Sequence, residues 1–226
     1  MGTLYVVATP IGNLEDITLR ALRILKEVDT ILCEDTRTTR VLLNKYNIAT
    51  KCISYHAHSA EKKESRIISM LTEGKNLALV SDAGTPCISD PGVLLIKNVR
   101  EQLGLEALVV PIPGPTALIA ALSASGISAA EFVFLGFLPH KKGREKIFTE
   151  IAHTTRVMVF YESPHRLLKT LASLSVSAPS SRIMIAREIT KQFEQFKEGT
   201  ANQLHSYYTE HTDKMRGEFV VIVVPE

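Results

Sequence analysis

A polar loop with two glycines lies in the first half of the chain, and its residue types are suited to binding a small molecule. The segment VSDAGTPCISDPG, residues 80–92, follows the short apolar run 76–80, which is typical of a buried strand. Asp82 and Thr85 offer hydrogen-bonding groups to a ligand, and Gly84 can adopt backbone angles that other residues avoid. The loop therefore combines binding groups with a backbone that allows close approach.

The same loop leads into a predicted helix. Ser89 or Asp90 can cap the helix, and Pro91 suits its first turn because the amide that proline lacks is unused there. Open α/β proteins bind small molecules at such junctions between a strand and a helix. The alternative interpretation is a turn that only caps one helix.

Two other segments repeat this pattern of a strand, a loop rich in Pro, Gly and Thr, and a helix. The run 4–8 ends in Thr-Pro-Ile-Gly-Asn at 9–13, and the run 107–111 ends in Ile-Pro-Gly-Pro-Thr at 112–116. The carboxyl ends of parallel strands share one edge of a sheet, so we expect the three loops to lie side by side. None has the spacing of a P-loop or of Gly-x-Gly-x-x-Gly, and a nucleotide phosphate is not the predicted ligand.

A basic loop in the second half is a candidate for binding phosphates. His140–Lys146 reads HKKGREK, in which Lys141, Lys142 and Arg144 could neutralise nucleic-acid phosphates. Arg37, at the start of a predicted helix in the first half, could contribute as well. The alternative is a solvated helix start, because charge runs are usually just surface.

The elements that must position these residues alternate between strands and helices along the whole chain, which indicates parallel α/β structure. Strands are predicted near 4–8, 30–33, 51–55, 76–81, 107–111, 131–135, 156–161, 182–187, 192–198 and 217–224. Helices are predicted near 16–27, 37–46, 60–73, 91–103, 115–125, 143–152, 164–174 and 200–210.

The short segment Gly126–Glu131 is the one plausible domain boundary. It predicts an N-terminal lobe over 1–126 and a C-terminal lobe over 127–226. Two lobes with so brief a connection are expected to enclose a ligand cleft.

Composition indicates a soluble enzyme of ordinary charge. The chain has 226 residues, 45% of them hydrophobic, and a net charge of +2, so a nucleic-acid partner would need a local basic patch. The odd set of Cys33, Cys52 and Cys87 shows no metal or redox spacing and predicts reduced thiols in the cytoplasm, with Cys33 in the core. No export signal or membrane-spanning run is recognisable, and we expect neither export nor anchoring.

Six motifs together identify a family. They are Thr9–Leu14, Glu34–Arg37, Ser81–Pro86 with Ser89–Gly92, Pro113–Pro115, Phe160–Arg166 and Ala186–Lys191. In this order the chain resembles the ribosomal RNA small subunit methyltransferase I family from about residue 3 to residue 224. That family is similar in fold to the tetrapyrrole methylases and uses S-adenosylmethionine.

The resemblance implies two α/β lobes of the tetrapyrrole methylase type, with the cofactor in the cleft between them, and a homodimer. It implies 2′-O-methylation of a cytidine ribose in 16S ribosomal RNA of the small subunit, with S-adenosylhomocysteine as the product. It places Tyr161 and Glu162 against S-adenosylmethionine, because related methylases contact the cofactor at this strand end. Together with the three loops, the expected cofactor-binding residues are Pro10, Asp82, Ala83, Gly84, Thr85, Thr116, Ala117, Tyr161 and Glu162.

Methyl transfer to a ribose hydroxyl requires an in-line geometry and a group that helps the proton to leave. The candidates for that catalytic group are Asp35, His165, Glu188 and Lys191, in no firm order. The reaction requires no metal, and no cluster of ligands with metal spacing appears in the sequence.

The main loop departs from the family at Cys87, where a glycine is usual. If this position has a positive φ, a side chain with a Cβ is strained there.

Three functions stay open from the residues. They are an RNA 2′-O-methyltransferase, a methylase of a tetrapyrrole or other small molecule, and a non-enzymatic sensor of S-adenosylmethionine. The basic loop and Arg37 favour the first, because RNA needs a cationic track.

Overall fold

The structure is a computed structural model that describes residues 1–55, 60–90, 92–104 and 108–225, with the side chains of 60–63 also outside the described part. It divides into two compact units, Met1–Thr116 and Ala117–Glu226. This division lies N-terminal to the boundary predicted at Gly126. The reason is the helix Ala117–Ala124, which packs against the last strand of the C-terminal unit.

In its described residues, the N-terminal unit has five strands and four α-helices. The strands are β1 Thr3–Val7, β2 Thr30–Cys33, β3 Cys52–Ser54, β4 Leu77–Leu79 and β5 Leu108–Ile112. The helices are α1 Leu19–Glu27, α2 Thr36–Lys45, α3 Ala60–Thr72 and α4 Gly92–Leu103. All pairings between these strands are parallel, in the order β3-β2-β4-β1-β5, as the sequence predicted. Pro91, predicted in the first turn of a helix, and Ala107, predicted at the start of a strand, lie outside the described residues.

Alternating residues of the N-terminal sheet enter two separate cores. Ala78 packs into a cluster with residues of α1 and α2, whereas Leu77 and Leu79 pack with residues of α3 and α4. A strand that is buried on both faces is expected to be almost wholly apolar, as 77–80 is. Cys33 is buried in the first cluster, which confirms its predicted place in the core.

Over residues 117–225, the C-terminal unit also has five strands and four α-helices. The strands are β6 Phe132–Phe137, β7 Val157–Glu162, β8 Arg182–Arg187, β9 Gln195–Gly199 and β10 Phe219–Val224. The helices are α5 Ala117–Ala124, α6 Arg144–His153, α7 Pro164–Ser177 and α8 Ala201–Glu210. One core joins residues of α6, α7 and α8 to residues of the sheet, including Phe160, Ile185 and Val221.

The expectation of an entirely parallel chain is wrong for this second sheet, whose order is β6-β7-β10-β8-β9. The pair β6 and β7 is parallel, but β10 is antiparallel to both of its neighbours, and β8 is antiparallel to β9. No helix separates β8 from β9, so the chain reverses at 188–194. The crossover through α8 then preserves the reversed direction, and β10 enters the sheet antiparallel.

Candidate active site at the strand ends

The loop at 9–13, after β1, and the loop at 80–92, after β4, are joined through their backbones. The Thr9 amide donates to the Gly84 carbonyl at 2.9 Å, and the Gly84 amide donates to the Thr9 carbonyl at 3.1 Å. The Thr9 hydroxyl adds a bond of 3.1 Å to the Ser81 carbonyl. Two loops that are far apart in sequence thus form one small bridge beyond the ends of β1 and β4.

The third predicted loop, residues 112–116, is hydrogen-bonded to the loop after β4. The Thr85 hydroxyl donates to the Pro115 carbonyl at 3.0 Å. Gly84 has a φ of +80°, and a Cβ there would lie 3.3 Å from Ile11 Cγ2 and 3.6 Å from the Pro115 carbonyl oxygen. The predicted convergence of the three loops at one sheet edge is therefore confirmed, and glycine allows their close approach.

The predicted cofactor residues of this edge differ in accessibility. Asp82 and Ala83 are exposed, Thr85 and Thr116 are partly buried, and Pro10 is buried. The Asp82 carboxylate accepts a hydrogen bond of 3.1 Å from the Asp35 amide, which ties the loop after β4 to the start of α2. This bond orients an exposed carboxylate that is still accessible to a ligand.

Glu34 is a functional candidate that sequence reasoning missed. It follows β2 directly and is partly buried. Burial raises its pKa above the ordinary value, and the nearby carboxylates of Asp90 and Asp82 add to the rise. A carboxylate with a raised pKa is a stronger base than an ordinary one. The available signal in the sequence is its place at the end of a strand, which it shares with the predicted candidate Asp35.

Asp35 is a poor base in this structure. Its carboxylate caps α2 by accepting from the Arg37 amide at 2.8 Å, and it pairs with the Arg37 guanidinium at 2.7 Å. These bonds lower the pKa of Asp35 to about 2. Arg37 is 90% exposed, but its charge is already matched by this carboxylate.

Cys87 has a φ of 71°, which confirms the strain expected from the sequence. Its amide donates to Asp90 Oδ2 at 2.7 Å, and the other oxygen of Asp90 accepts from the Gly92 amide at 2.9 Å. Asp90 therefore caps α4 and holds the strained residue in place.

A second edge, in the C-terminal unit, collects the remaining predicted residues. The ends of β6, β7 and β8 lie beside the start of β10, since Phe137 pairs with Tyr161 and Phe219 pairs with both Glu162 and Arg187. Tyr161 is partly buried, its hydroxyl accepts from the Leu118 amide at 3.3 Å, and it lies beside the start of α5. The predicted cofactor residue Ala117 is the first residue of that helix.

Glu162 is buried in a network of charges, with its side chain 0% exposed. Its carboxylate pairs with Arg166 Nε at 2.7 Å and with Arg144 Nη2 at 3.7 Å. It also accepts from the Thr170 hydroxyl at 2.6 Å and the Ser163 amide at 2.9 Å. All of its capacity as an acceptor serves the protein, so a position against the cofactor does not fit this side chain.

The prediction that Arg144 contacts nucleic-acid phosphates fails for the same reason. Its side chain is 8% exposed, and it donates to the Pro139 carbonyl at 3.2 Å and to Thr170 Oγ1 at 2.6 Å. A buried, engaged guanidinium is not a surface contact for phosphate. Lys141 and Lys142 are exposed and keep that assignment. Sequence alone could not separate these three neighbouring cations.

The loop after β8 holds two other candidates in an ion-paired cluster. Lys191 Nζ lies 2.8 Å from a carboxylate oxygen of Glu188 and 2.8 Å from one of Glu218. Burial alone would lower the pKa of Lys191, but its bonds to the two carboxylates outweigh burial and raise it. Lys191 is therefore protonated at neutral pH and cannot accept the proton. Glu188 and Thr190 have φ values of 51° and 68°, so this loop is strained.

Glu188 is held in its charged form. Burial alone would raise its pKa, but the hydrogen bonds from Lys191 and from the Glu218 amide outweigh burial and lower it. His165, the fourth catalytic candidate, is exposed on the first turn of α7. Among the described residues, no group of three or more His, Cys, Asp or Glu side chains is arranged to hold a metal ion. No helix in the same part of the chain has the length and apolar character that crossing a membrane requires.

Comparison with known proteins identifies the family of this chain. The family model for tetrapyrrole (corrin/porphyrin) methylases matches residues 3–205. The chain is 48% identical to ribosomal RNA small subunit methyltransferase I of Halalkalibacterium halodurans over 224 residues, covering 98% of this chain and 75% of the relative. It is 44% identical to the protein of the same name from Thermotoga maritima, covering 99% of this chain and 98% of that one.

A solved structure has the same fold. Uroporphyrin-III C-methyl transferase from Thermus thermophilus, complexed with S-adenyl homocysteine, aligns with a TM-score of 0.67 at 17% identity. The alignment covers 99% of this chain and 97% of that one. The chain therefore belongs to the tetrapyrrole methylase family and, within it, to the ribosomal RNA small subunit methyltransferase I family, as the sequence motifs predicted.

Proposed function

We propose that this protein transfers the methyl group of S-adenosylmethionine to the 2′-hydroxyl of a cytidine in 16S ribosomal RNA of the small subunit. The observation that carries the proposal is the identity of 44–48% to proteins named ribosomal RNA small subunit methyltransferase I over nearly the whole chain. The relatives' name supports the ribosomal RNA substrate. The cytidine and the ribose oxygen are the finer part of the proposal, and they come from the sequence resemblance.

The cofactor contacts the N-terminal unit at Pro10, at the loop from Asp82 to Thr85, and at Thr116. Glycine at position 84 lets a ligand approach the backbone closely, and the neighbouring carboxylates suit the positive charge of a sulfonium. In the C-terminal unit, Ala117 and Tyr161 remain predicted contacts. Glu162 is not a cofactor contact in this proposal, because its carboxylate is buried and bonded to the protein.

Calorimetry tests the cofactor assignment. We expect binding heat with S-adenosylmethionine for the wild type and a clear loss of affinity for Asp82→Ala and Gly84→Val. The Glu27→Ala variant is the matched control, because it removes one exposed carboxylate from the end of α1 in the same unit. Equal affinity in all four proteins would remove the loop from the cofactor site.

RNA binds through phosphate contacts to Lys141 and Lys142. Arg37 in the N-terminal unit is a further contact, because its guanidinium is exposed and its surface ion pair with Asp35 contributes little energy. The double variant Lys141→Ala/Lys142→Ala should lower RNA affinity and reduce the slope of log affinity against log salt by about two units. The control is Lys26→Ala/Lys45→Ala, which removes the same charge from the exposed ends of α1 and α2. An unchanged slope in the first variant would refute the patch.

Glu34 and His165 are the remaining candidates for the general base that accepts the proton of the ribose hydroxyl. Asp35 and Glu188 have lowered pKa values, and Lys191 stays protonated. Glu34→Gln and His165→Gln separate the two. Loss of turnover with retained cofactor affinity identifies the residue that accepts the proton, and full turnover in both variants would exclude the pair.

A 2′-deoxy substitution tests the site of methylation. Only RNA carries a 2′-hydroxyl, so a substrate with a deoxyribose at the target cytidine should bind nearly as well as RNA and accept no methyl group. Transfer of labelled methyl to that deoxy nucleotide would show that the nucleobase, and not the ribose, is the methyl acceptor. Turnover on a tetrapyrrole without turnover on RNA would support the small-molecule alternative.

A further inference from the structure

Phe137 presents an aromatic ring to solvent at the carboxyl end of β6. Its exposed fraction is 56%, although phenylalanine is usually buried. The ring lies 5.3 Å from the ring of Tyr161, which in turn contacts the ring of Phe134 at 5.0 Å. One face of a small aromatic cluster is therefore open at the edge that holds the basic loop.

The backbone directs this ring outward. Phe134 pairs with Val159, but Phe137 pairs with Tyr161, so β6 has one residue more than β7 over this interval. Gly136, within the interval, has a φ of 62°. Such a bulge re-aims the side chains that follow it, and bulges are frequent next to active sites.

The segment after the ring is anchored by two arginines, of which Arg144 is buried and Arg166 is partly buried. Leu138 is buried, and its carbonyl accepts from Arg166 Nη1 at 2.7 Å. The next carbonyl, that of Pro139, accepts from Arg144 Nη1 at 3.2 Å. Both guanidinium groups are held by Glu162. The network therefore fixes the start of the basic loop before any ligand arrives.

Exposed cations follow within a few residues. His140, Lys141 and Lys142 are all exposed, and Gly143 has a φ of +85° that lets the chain turn into α6. A second protein would cover an apolar ring without needing these charges, whereas a polyanion needs them. An exposed aromatic ring beside cations is the arrangement by which proteins bind unpaired nucleotides.

We propose that Phe137 stacks on an unpaired base of the RNA substrate while Lys141 and Lys142 bind the adjoining phosphates. This inference rests on the proposed function and adds to it a contact with a base. In this arrangement Glu162, Arg144 and Arg166 are positioning residues, because they act through the backbone of the segment.

The test is binding of unmethylated small ribosomal subunits at several salt concentrations. Phe137→Ala should weaken binding roughly tenfold or more, because stacking on an aromatic residue contributes strongly to affinity. Phe137→Trp should bind like the wild type. Phe137→Leu, which keeps the apolar volume, should be as weak as alanine. The salt slope should stay constant across these three variants, since no phosphate contact is lost.

The outcomes separate this inference from the proposed function. If the wild type neither binds nor methylates the subunits, the proposed function fails. If the wild type binds and Phe137→Ala binds equally well, or Phe137→Leu is as tight as the wild type, only the stacking contact is overturned. Sedimentation of each variant completes the test, because a change in oligomeric state with Phe137→Ala would assign the ring to contact with a second copy of the chain.

Discussion

The N-terminal unit orders its candidate loops through backbone hydrogen bonds and through short polar side chains that bond to the backbone, whereas the C-terminal unit orders its own through buried charged side chains. In the first, Thr9 and Gly84 exchange two backbone hydrogen bonds beyond the strands. In the second, the Glu162 carboxylate holds Arg144 and Arg166, which in turn hold loop carbonyls.

The difference predicts two kinds of failure. A backbone junction needs glycine where a side chain would intrude, so a substitution there is a local steric error. A buried charge network needs every partner, because a charge that loses its partner remains buried and unpaired. Loss of one member should therefore affect the whole C-terminal unit.

The largest expected effect is that of Glu162→Gln. The substitution keeps the shape of the side chain but leaves Arg144 and Arg166 without their counter-ion. We expect the free energy of unfolding to fall by about 3 kcal/mol or more. Urea unfolding measures it.

The matched control is Glu131→Gln, which breaks the exposed pair with Arg156. Exposed pairs contribute little, so this variant should unfold like the wild type. Equal urea midpoints for the two variants would contradict the contrast drawn between the two units.

Gly84→Ala and Gly74→Ala should separate backbone strain from crowding. Both positions have positive φ, so both variants should lose roughly 1–2 kcal/mol of stability. A Cβ at Gly74 would meet nothing within 4 Å, whereas one at Gly84 would crowd Ile11. Only Gly84→Ala should weaken cofactor binding in calorimetry, and equal affinities would separate the junction from the site.

The contribution of the charged loop after β8 to stability should be lost at both acidic and basic pH. The pKa of Glu188 is lowered from 4.5, so its contribution is present above that value and is lost as pH falls through the folded-state pKa. The pKa of Lys191 is raised from 10.5, so its contribution is present below that value and is lost as pH rises further.

Lys191→Met should flatten both limbs of the pH dependence of the urea midpoint. The effect should be on the order of 1 kcal/mol or less, because solvent screens partly exposed charges. A variant whose midpoint varies with pH just as the wild type's does would show that the cluster adds nothing to stability.

The smallest expected effect is a gain from Cys87→Gly. Relief of the positive φ should outweigh the greater freedom of glycine in the unfolded chain by roughly 0.5 kcal/mol. Cys87→Ala keeps the Cβ and should bring no gain, which makes it the control. A stabilised alanine variant would assign the effect to the thiol instead.

Much of the fold could be predicted because the signals are local. Apolar runs such as 76–80 and caps such as Asp90 act within a few residues, and the observed elements follow them closely. The reversal between β8 and β9 was also readable, since two predicted strands followed each other without a helix. The antiparallel direction of β10 follows from that reversal and was not predicted.

The sequence by itself determined which loops end strands and that three of them meet, because parallel strands connected by helices place all their carboxyl ends on one edge. Only the tertiary structure decided which charges face solvent. Lys141 and Arg144 are three residues apart, yet one is exposed and the other is buried against Glu162 and Thr170. That choice depends on partners supplied by β7 and α7, and burial is a property of the packed chain, which local sequence does not encode.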